Sequence, residues 1–138
     1  MAKDFRELFV WEQAMVLAEQ VYGMTRQLPR DERFGLVAQM RRAAVSVPSC
    51  IAEGNSRATT PDYLRFLSMA AGSLSELRTQ VQLCARLGFA SSDATDAAEA
   101  QAWRVAQLLQ KLQNSLRRAH RDAREGSPSR FPVPGSPS

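Results

Sequence analysis

The run from Gln39 to Arg57, QMRRAAVSVPSCIAEGNSR, constrains the fold more than any other part of this sequence. It is an apolar, helix-patterned segment that carries paired arginines, a proline and a lone glutamate. Charged side chains are costly to bury unless a partner compensates them. The segment therefore predicts a helix that packs in a specific assembly rather than a generic amphipathic helix.

Segments on both sides of this run also show apolar residues at alternating spacings of three and four, as amphipathic helices do. The pattern predicts helices over about 8–28, 31–55, 60–88 and 91–124. The predicted N-caps are Asp31 and Thr60 for the second and third helices and Ser91, Ser92 or Asp93 for the fourth, and the predicted C-cap of the third helix is Gly88. Pro48 lies inside the second helix, so we expect a kink there. Short connections favour antiparallel neighbours. The sequence thus predicts an all-α fold, an antiparallel up-down-up-down four-helix bundle over residues 1–124, followed by a flexible tail rich in proline, serine and glycine over residues 125–138.

The apolar stripes predict which side of each helix faces the core. The first helix should bury Leu8, Trp11, Met15, Ala18, Tyr22 and Thr25, with Ala14, Val21 and Leu28 alongside; the third Tyr63, Leu67, Ala70, Leu74, Leu77, Val81 and Cys84; the fourth Ala98, Ala102, Val105, Leu109, Leu112, Leu116 and Ala119. Beside the third stripe lie Phe66, Met69 and Leu83, so its apolar surface is wider than one core requires. We expect a second buried face, which implies contacts between subunits.

The formal charge of +4 is concentrated near the end of the chain. Residues 103–130 contain seven basic and two acidic residues, whereas the remainder of the chain is close to neutral. Such a localised basic surface suits contact with phosphate or an acidic partner. The candidate nucleic-acid-binding residues are Arg104, Lys111, Arg117, Arg118, Arg121 and Arg124. The alternative is a solvated basic face that complements the helix dipole and binds no ligand.

The sequence argues against an enzyme, a metal site and a bound cofactor. A di-metal carboxylate bundle needs Glu-x-x-His pairs on two helices, but the chain has one histidine, His120, with Arg117 where the glutamate would be. Glu53 and Glu76 are the best candidates for a carboxylate pair, yet the predicted helices offset them by roughly 20 Å within one chain. They could share a proton only if they came from different subunits. We expect no catalytic residues, no cofactor and no metal.

Four charged residues lie on or beside the predicted buried faces: Arg41, Arg42, Glu53 and Glu76. Arg42 and Glu53 share one side of a helix but are about 16 Å apart, so they cannot pair with each other. We expect their partners to lie on another helix or another subunit. Pairing within the chain, which would fix the register of the bundle, is as compatible with the sequence as a functional role.

The N-terminal residues carry charges where a signal peptide has an uninterrupted apolar core, and no long uncharged apolar run follows. Cys50 and Cys84 lie in apolar helical patterns and have neither metal-site nor disulfide-framework spacing. We therefore expect buried thiols, a cytoplasmic protein and no membrane partner.

Several motifs together resemble a known family. They are Leu8, Val10, Trp11 and Ala14, then Glu32, Gly35, Leu36 and Gln39, then RRAAVSVPSCIAEG at 41–54, Phe66 and Leu67, and GSLSELRTQVQL at 72–83. The chain resembles the four-helix-bundle family encoded in intervening sequences of bacterial 23S ribosomal RNA genes. One departure is Cys50, because the family usually has asparagine before Ile-Ala-Glu-Gly.

The resemblance implies a ring-like homopentamer, because members of that family assemble in this way. A related accessory protein of diversity-generating retroelements binds nucleic acid and a reverse transcriptase. The leading hypothesis is therefore a non-enzymatic pentamer that binds RNA or DNA through its last helix. The alternative is a protein-interaction scaffold that uses the basic helix and the proline-rich tail.

Overall fold

The computed structural model describes residues 3–126. Its helices are α1 (Phe9–Thr25), α2 (Leu36–Asn55), α3 (Thr60–Leu87) and α4 (Ser92–Gly126), and short 3-10 turns at Phe5–Glu7 and Arg30–Glu32 precede α1 and α2. Residues 3–126 contain no strand, which confirms the predicted all-α fold. The predicted tail falls mainly on residues 127–138, outside the described residues, and its first two positions, Glu125 and Gly126, belong to α4.

The helices are arranged as a four-helix bundle. Each helix packs against the next one in the chain, α4 also packs against α1, and the diagonal pairs lie apart over residues 3–126. A hydrogen bond from the Gln101 side chain to the Gln13 carbonyl (2.9 Å) joins α4 to α1. At the end where α1 and α3 finish, the Ser91 amide donates to the side chain of Gln27 (2.8 Å). The two connections at that end are thus held together.

Side-chain caps define the ends of α3 and α4. The Thr59 hydroxyl accepts a hydrogen bond from the Asp62 amide (3.3 Å), so the cap lies one residue before the predicted Thr60. Gly88 ends α3 with a φ of 67°, the left-handed conformation expected of a glycine C-cap. Ser91, one of the three predicted candidates, caps α4 by accepting from the Ala94 amide (3.2 Å).

The predicted start of α2 is wrong. Asp31 lies in the 3-10 turn Arg30–Glu32, and α2 begins five residues later at Leu36. The Glu32 side chain instead accepts a hydrogen bond from the Leu36 amide (3.3 Å) and satisfies one of the free amides of the first turn. Pro48 is buried inside α2, and the helix continues beyond it to Asn55.

The buried side of α1 agrees with the prediction only in part: Ala14, Ala18, Val21, Thr25 and Leu28 are buried as expected. The core contacts come from Val10, Ala14, Leu17, Ala18, Val21, Met24, Thr25 and Leu28, whereas Tyr22 is exposed and Leu8, Trp11 and Met15 are half-buried. Apolar residues occupy more than half of the circumference of α1, so apolar spacing alone does not select one side. The charged residues do select it, because Glu12, Glu19 and Arg26 follow one another at seven-residue spacing directly opposite the buried face.

The other two predicted stripes are largely correct. In α3 every predicted residue from Leu67 to Cys84 is buried, and only Tyr63 is half-buried. In α4 the stripe is buried from Ala98 to Leu109, Leu112 and Leu116 pack partly against the core, and Ala119 is exposed. The core therefore ends before α4 does.

The corner between α2 and α3 is closely packed around Gly54. A Cβ placed on Gly54 would lie 2.9 Å from Tyr63 Cδ1 and 3.0 Å from Phe66 Cβ, so only glycine lets the two helices approach this closely. The Tyr63 hydroxyl donates to the Asn55 side chain (3.3 Å), which in turn donates to the Lys3 carbonyl. Burial raises the pKa of Tyr63, which keeps this donor protonated.

Substituting Gly54→Ala should therefore destabilise the protein by about 1–3 kcal/mol, since the methyl group overpacks the corner. Gly72→Ala is the matched control, because nothing lies within 4 Å of a Cβ placed at that position and alanine favours a helix over glycine by about 0.5–1 kcal/mol. Urea denaturation followed by circular dichroism measures both. Equal stability changes in the two variants would contradict the close approach at Gly54.

Candidate nucleic-acid interface

The six predicted basic residues all lie on α4 with exposed side chains. They form two rows on the helix surface: Arg104, Lys111 and Arg118 at seven-residue spacing, and Arg117, Arg121 and Arg124 at spacings of four and three. Together they extend over about 30 Å of helix. The first row lies opposite the buried stripe, and the second lies at its side.

These cations are largely uncompensated. Within residues 3–126, Arg121 has one weak pair, with Asp122 at 3.9 Å, and none of the other five forms an ion pair. Three arginines of α2 and α3, by contrast, each pair with a carboxylate: Arg42, Arg65 and Arg78. The positive field along α4 is therefore free to act on a ligand.

The second row lies where α4 extends past its neighbours. The contact of Gln101 with Gln13 places the start of α1 level with about residue 105 of α4. The ion pair of Arg78 with Glu99 similarly places the start of α3 level with about residue 117. Residues 117–125 thus form an overhang past the starts of both neighbouring helices, and Arg117, Arg121 and Arg124 are exposed within it.

The four charged residues of the α2 and α3 motifs are less buried than expected. Arg42 pairs with Glu76 across the α2–α3 contact (3.5 Å), as expected of a partner on another helix. Glu53 instead pairs with Arg57, four residues along the chain (3.9 Å). Arg42, Glu53 and Glu76 are exposed, because they lie on the outer edge of the helix contact rather than inside it.

Arg41 is the half-buried member of this set. Its Nε donates to the Thr25 hydroxyl (2.9 Å), its Nη2 reaches the Tyr22 carbonyl (3.5 Å), and its guanidinium lies over the Tyr22 ring at 4.6 Å. No carboxylate of residues 3–126 pairs with it. Arg41 therefore holds α1 to α2 through neutral partners and keeps its charge.

Apolar side chains remain exposed on the outer surface shared by α2 and α3. Met69 is 48% and Leu83 44% exposed, and Leu87 and Val45 are exposed to a similar degree. Met69 and Leu83 lie seven residues to either side of Glu76, whose pair with Arg42 places α2 beside the same stripe. We call this the α2–α3 outer face. Phe66, by contrast, is buried within the chain.

The sequence-predicted thiols are both buried and free. Burial, with a smaller contribution from the Glu32 carboxylate, raises the pKa of the Cys84 thiol and keeps it protonated at neutral pH. Residues 3–126 contain no group of three or more potential metal ligands. Among these same residues, no helix is long and apolar enough to cross a membrane.

Comparisons with known proteins support the fold. A family model described as 23S rRNA-intervening sequence protein matches residues 6–111. A crystal structure described as a protein with unknown function from the S23 ribosomal protein family of Bacteroides thetaiotaomicron is similar, with a TM-score of 0.70 and 16% identity over 76% of this chain and 95% of that one. None of the curated proteins compared matches significantly. The overhang lies beyond the residues that the family model matches.

The two interhelical ion pairs should contribute unequally to stability. Arg78 donates two hydrogen bonds to Glu99 Oε1 (3.0 and 2.7 Å) in a half-buried setting, whereas Arg42 and Glu76 meet at 3.5 Å in an exposed one. Double-mutant cycles with glutamine substitutions should give a coupling of about 1 kcal/mol for Arg78–Glu99 and under about 0.5 kcal/mol for Arg42–Glu76. Equal coupling energies would show that the greater burial of Arg78–Glu99 does not strengthen that ion pair.

Proposed function

Because this chain belongs to the 23S rRNA-intervening sequence protein family, we propose that it is a non-enzymatic, self-associating four-helix bundle that binds RNA or DNA through α4. The observation that carries the proposal is the row of exposed, uncompensated cations along α4.

The spacing of these cations suits a phosphate backbone. Arginine and lysine side chains that contact phosphates fix a protein on nucleic acid without reading its sequence. The two rows present charge over about 30 Å, enough to follow several successive phosphates. Contacts of this kind do not depend on the identity of the bases, so binding should tolerate different sequences and weaken steeply with salt.

Self-association would take place through the α2–α3 outer face. The apolar side chains of this face are about half exposed in a single subunit, and contact with a second copy would remove them from water. We propose the ring-like homopentamer implied by the family resemblance. Five copies of α4 would then multiply a weak phosphate contact through avidity.

Neutralising the overhang should weaken nucleic-acid binding. The double variant Arg117→Gln with Arg121→Gln removes two candidate phosphate contacts, so its affinity for a labelled duplex should fall and the slope of log affinity against log salt should decrease by about 1–2. Fluorescence anisotropy over a salt titration measures both quantities.

The matched control is Arg26→Gln with Arg86→Gln, which removes the same charge from two exposed arginines at the other end of the bundle. Its duplex affinity and salt slope should stay close to those of the parent protein. Equal losses of duplex affinity in the two double variants would contradict the proposed role of α4. So would a parent protein whose duplex affinity does not change with salt concentration.

Charge on the α2–α3 outer face should disrupt the assembly. The parent protein should have a mass in solution of about five times the 15.3 kDa chain, and Met69→Glu with Leu83→Glu should reduce it toward one chain, because burying the carboxylates costs several kcal/mol. Phe9→Glu with Trp103→Glu is the control, since both residues are exposed on other helices. Light scattering measures the masses. A monomeric parent, or dissociation of both variants, would refute the proposed face.

A further inference from the structure

A groove of about 430 Å³ lies where the end of α1 meets the start of α2. Its polar lining consists of Thr25, Arg30, Arg33 and Arg41, and the rest of the lining is apolar. The proposed role of α4 leaves this groove unexplained. It is also the part of residues 3–126 where arginines converge from a helix and from the turn that precedes it.

The charge of the groove is uncompensated. None of the three arginines forms an ion pair with an acidic side chain of residues 3–126. The acidic residues of the same turn, Asp31 and Glu32, do not line the groove, and Glu32 is engaged with the Leu36 amide. An anion is thus the ligand that the groove favours.

One of these arginines is already held in place. Arg41 is fixed by its hydrogen bond to Thr25 and by its stacking on Tyr22, and neither contact uses its Nη1 group. A guanidinium whose position is fixed loses little entropy when it binds phosphate, and its remaining N–H groups suit two oxygens of one phosphate. The groove therefore has a preorganised phosphate donor.

An aromatic ring stands beside the groove in solvent. Phe34 is 85% exposed, more than any other large apolar side chain of residues 3–126. The guanidinium of Arg33 lies 4.9 Å from its ring centre, which ties the ring to the groove. An exposed ring next to cations is the arrangement on which an unpaired base stacks. The bases of a duplex are already stacked on each other and cannot use it.

We propose that this corner binds single-stranded nucleic acid, with a phosphate in the arginine groove and the adjacent base on Phe34. The inference rests on the proposed function, since nucleic acid is the ligand in both. The two surfaces are distinct, because the corner lies beside the start of α4, whereas the cations of α4 begin with Arg104 about 18 Å along that helix and reach Arg118 at about 40 Å. The corner would distinguish single strands from duplexes, and α4 would not.

Anisotropy titrations of the full chain with a labelled single strand of about 15 nucleotides, and with the same strand in a duplex, test the corner directly. Phe34→Ala should lower affinity for the single strand by roughly ten-fold and leave duplex affinity within about two-fold. Phe9→Ala is the control, because it removes another exposed ring far from the groove. Equal effects of the two substitutions on the single strand would overturn the proposal, as would equal losses of single-strand and duplex affinity.

The groove arginines provide a second variant. Arg30→Gln with Arg33→Gln should weaken single-strand binding more than the equally charged control Arg26→Gln with Arg86→Gln, whose residues do not line the groove. All four of these side chains are exposed, so the fold should be kept, and circular dichroism checks this. No difference between the two double variants would overturn the phosphate role of the groove.

The α4 double variant Arg117→Gln with Arg121→Gln separates this inference from the proposed function. If the α4 variant loses duplex binding and the corner variants keep single-strand binding, the proposed corner site is refuted and the proposed role of α4 stands. If the corner variants lose single-strand binding and the α4 variant keeps normal duplex binding, the proposed corner site is supported and the proposed role of α4 is refuted. A parent protein that binds neither probe at low salt overturns both.

Discussion

The close approach of α2 and α3 at Gly54 is the constraint on which the rest of the bundle depends. Because no side chain separates the helices there, Phe66 enters the core, and the guanidinium groups of Arg57 and Arg65 lie over its ring at 4.4 and 4.6 Å. Further along the same contact, the hydroxyl groups of Ser46 and Ser73 lie 2.9 Å apart. Two helices held this closely form one continuous outer surface, on which Met69 and Leu83 are among the apolar side chains that remain exposed.

The sequence predicted where the helices lie better than it predicted which side of each helix faces the core. The number and type of helices and the buried stripe of α3 followed from spacing, because in α3 apolar and polar residues alternate clearly around the helix. In α1 the apolar residues surround most of the helix, and the informative signal was the opposite one, the seven-residue repeat of Glu12, Glu19 and Arg26. The start of α2 was misplaced because Asp31 is a good cap by type, whereas the chain forms a 3-10 turn there.

The candidate site was predictable only in part. The six basic residues of α4 could be named from composition, since charge is additive and needs no geometry. Whether each charge is paired depends on how the helices are rotated against one another, and for this reason the exposure of Glu53 and its pairing with Arg57 were not foreseen. The groove at the α1–α2 corner was likewise hidden, because Arg30, Arg33 and Arg41 are brought together by a turn whose form the sequence did not disclose.

The length of α4 has a consequence for its own stability. From residue 117 onward α4 extends past the starts of α1 and α3, and Arg117 and Arg121, four residues apart, repel each other by about a few tenths of a kcal/mol. The last turns are therefore held mainly by their own backbone hydrogen bonds, and unwinding should begin there. A polyanion lying against these turns would remove the repulsion and suppress the unwinding, so that the folding of this end becomes coupled to the ligand it meets.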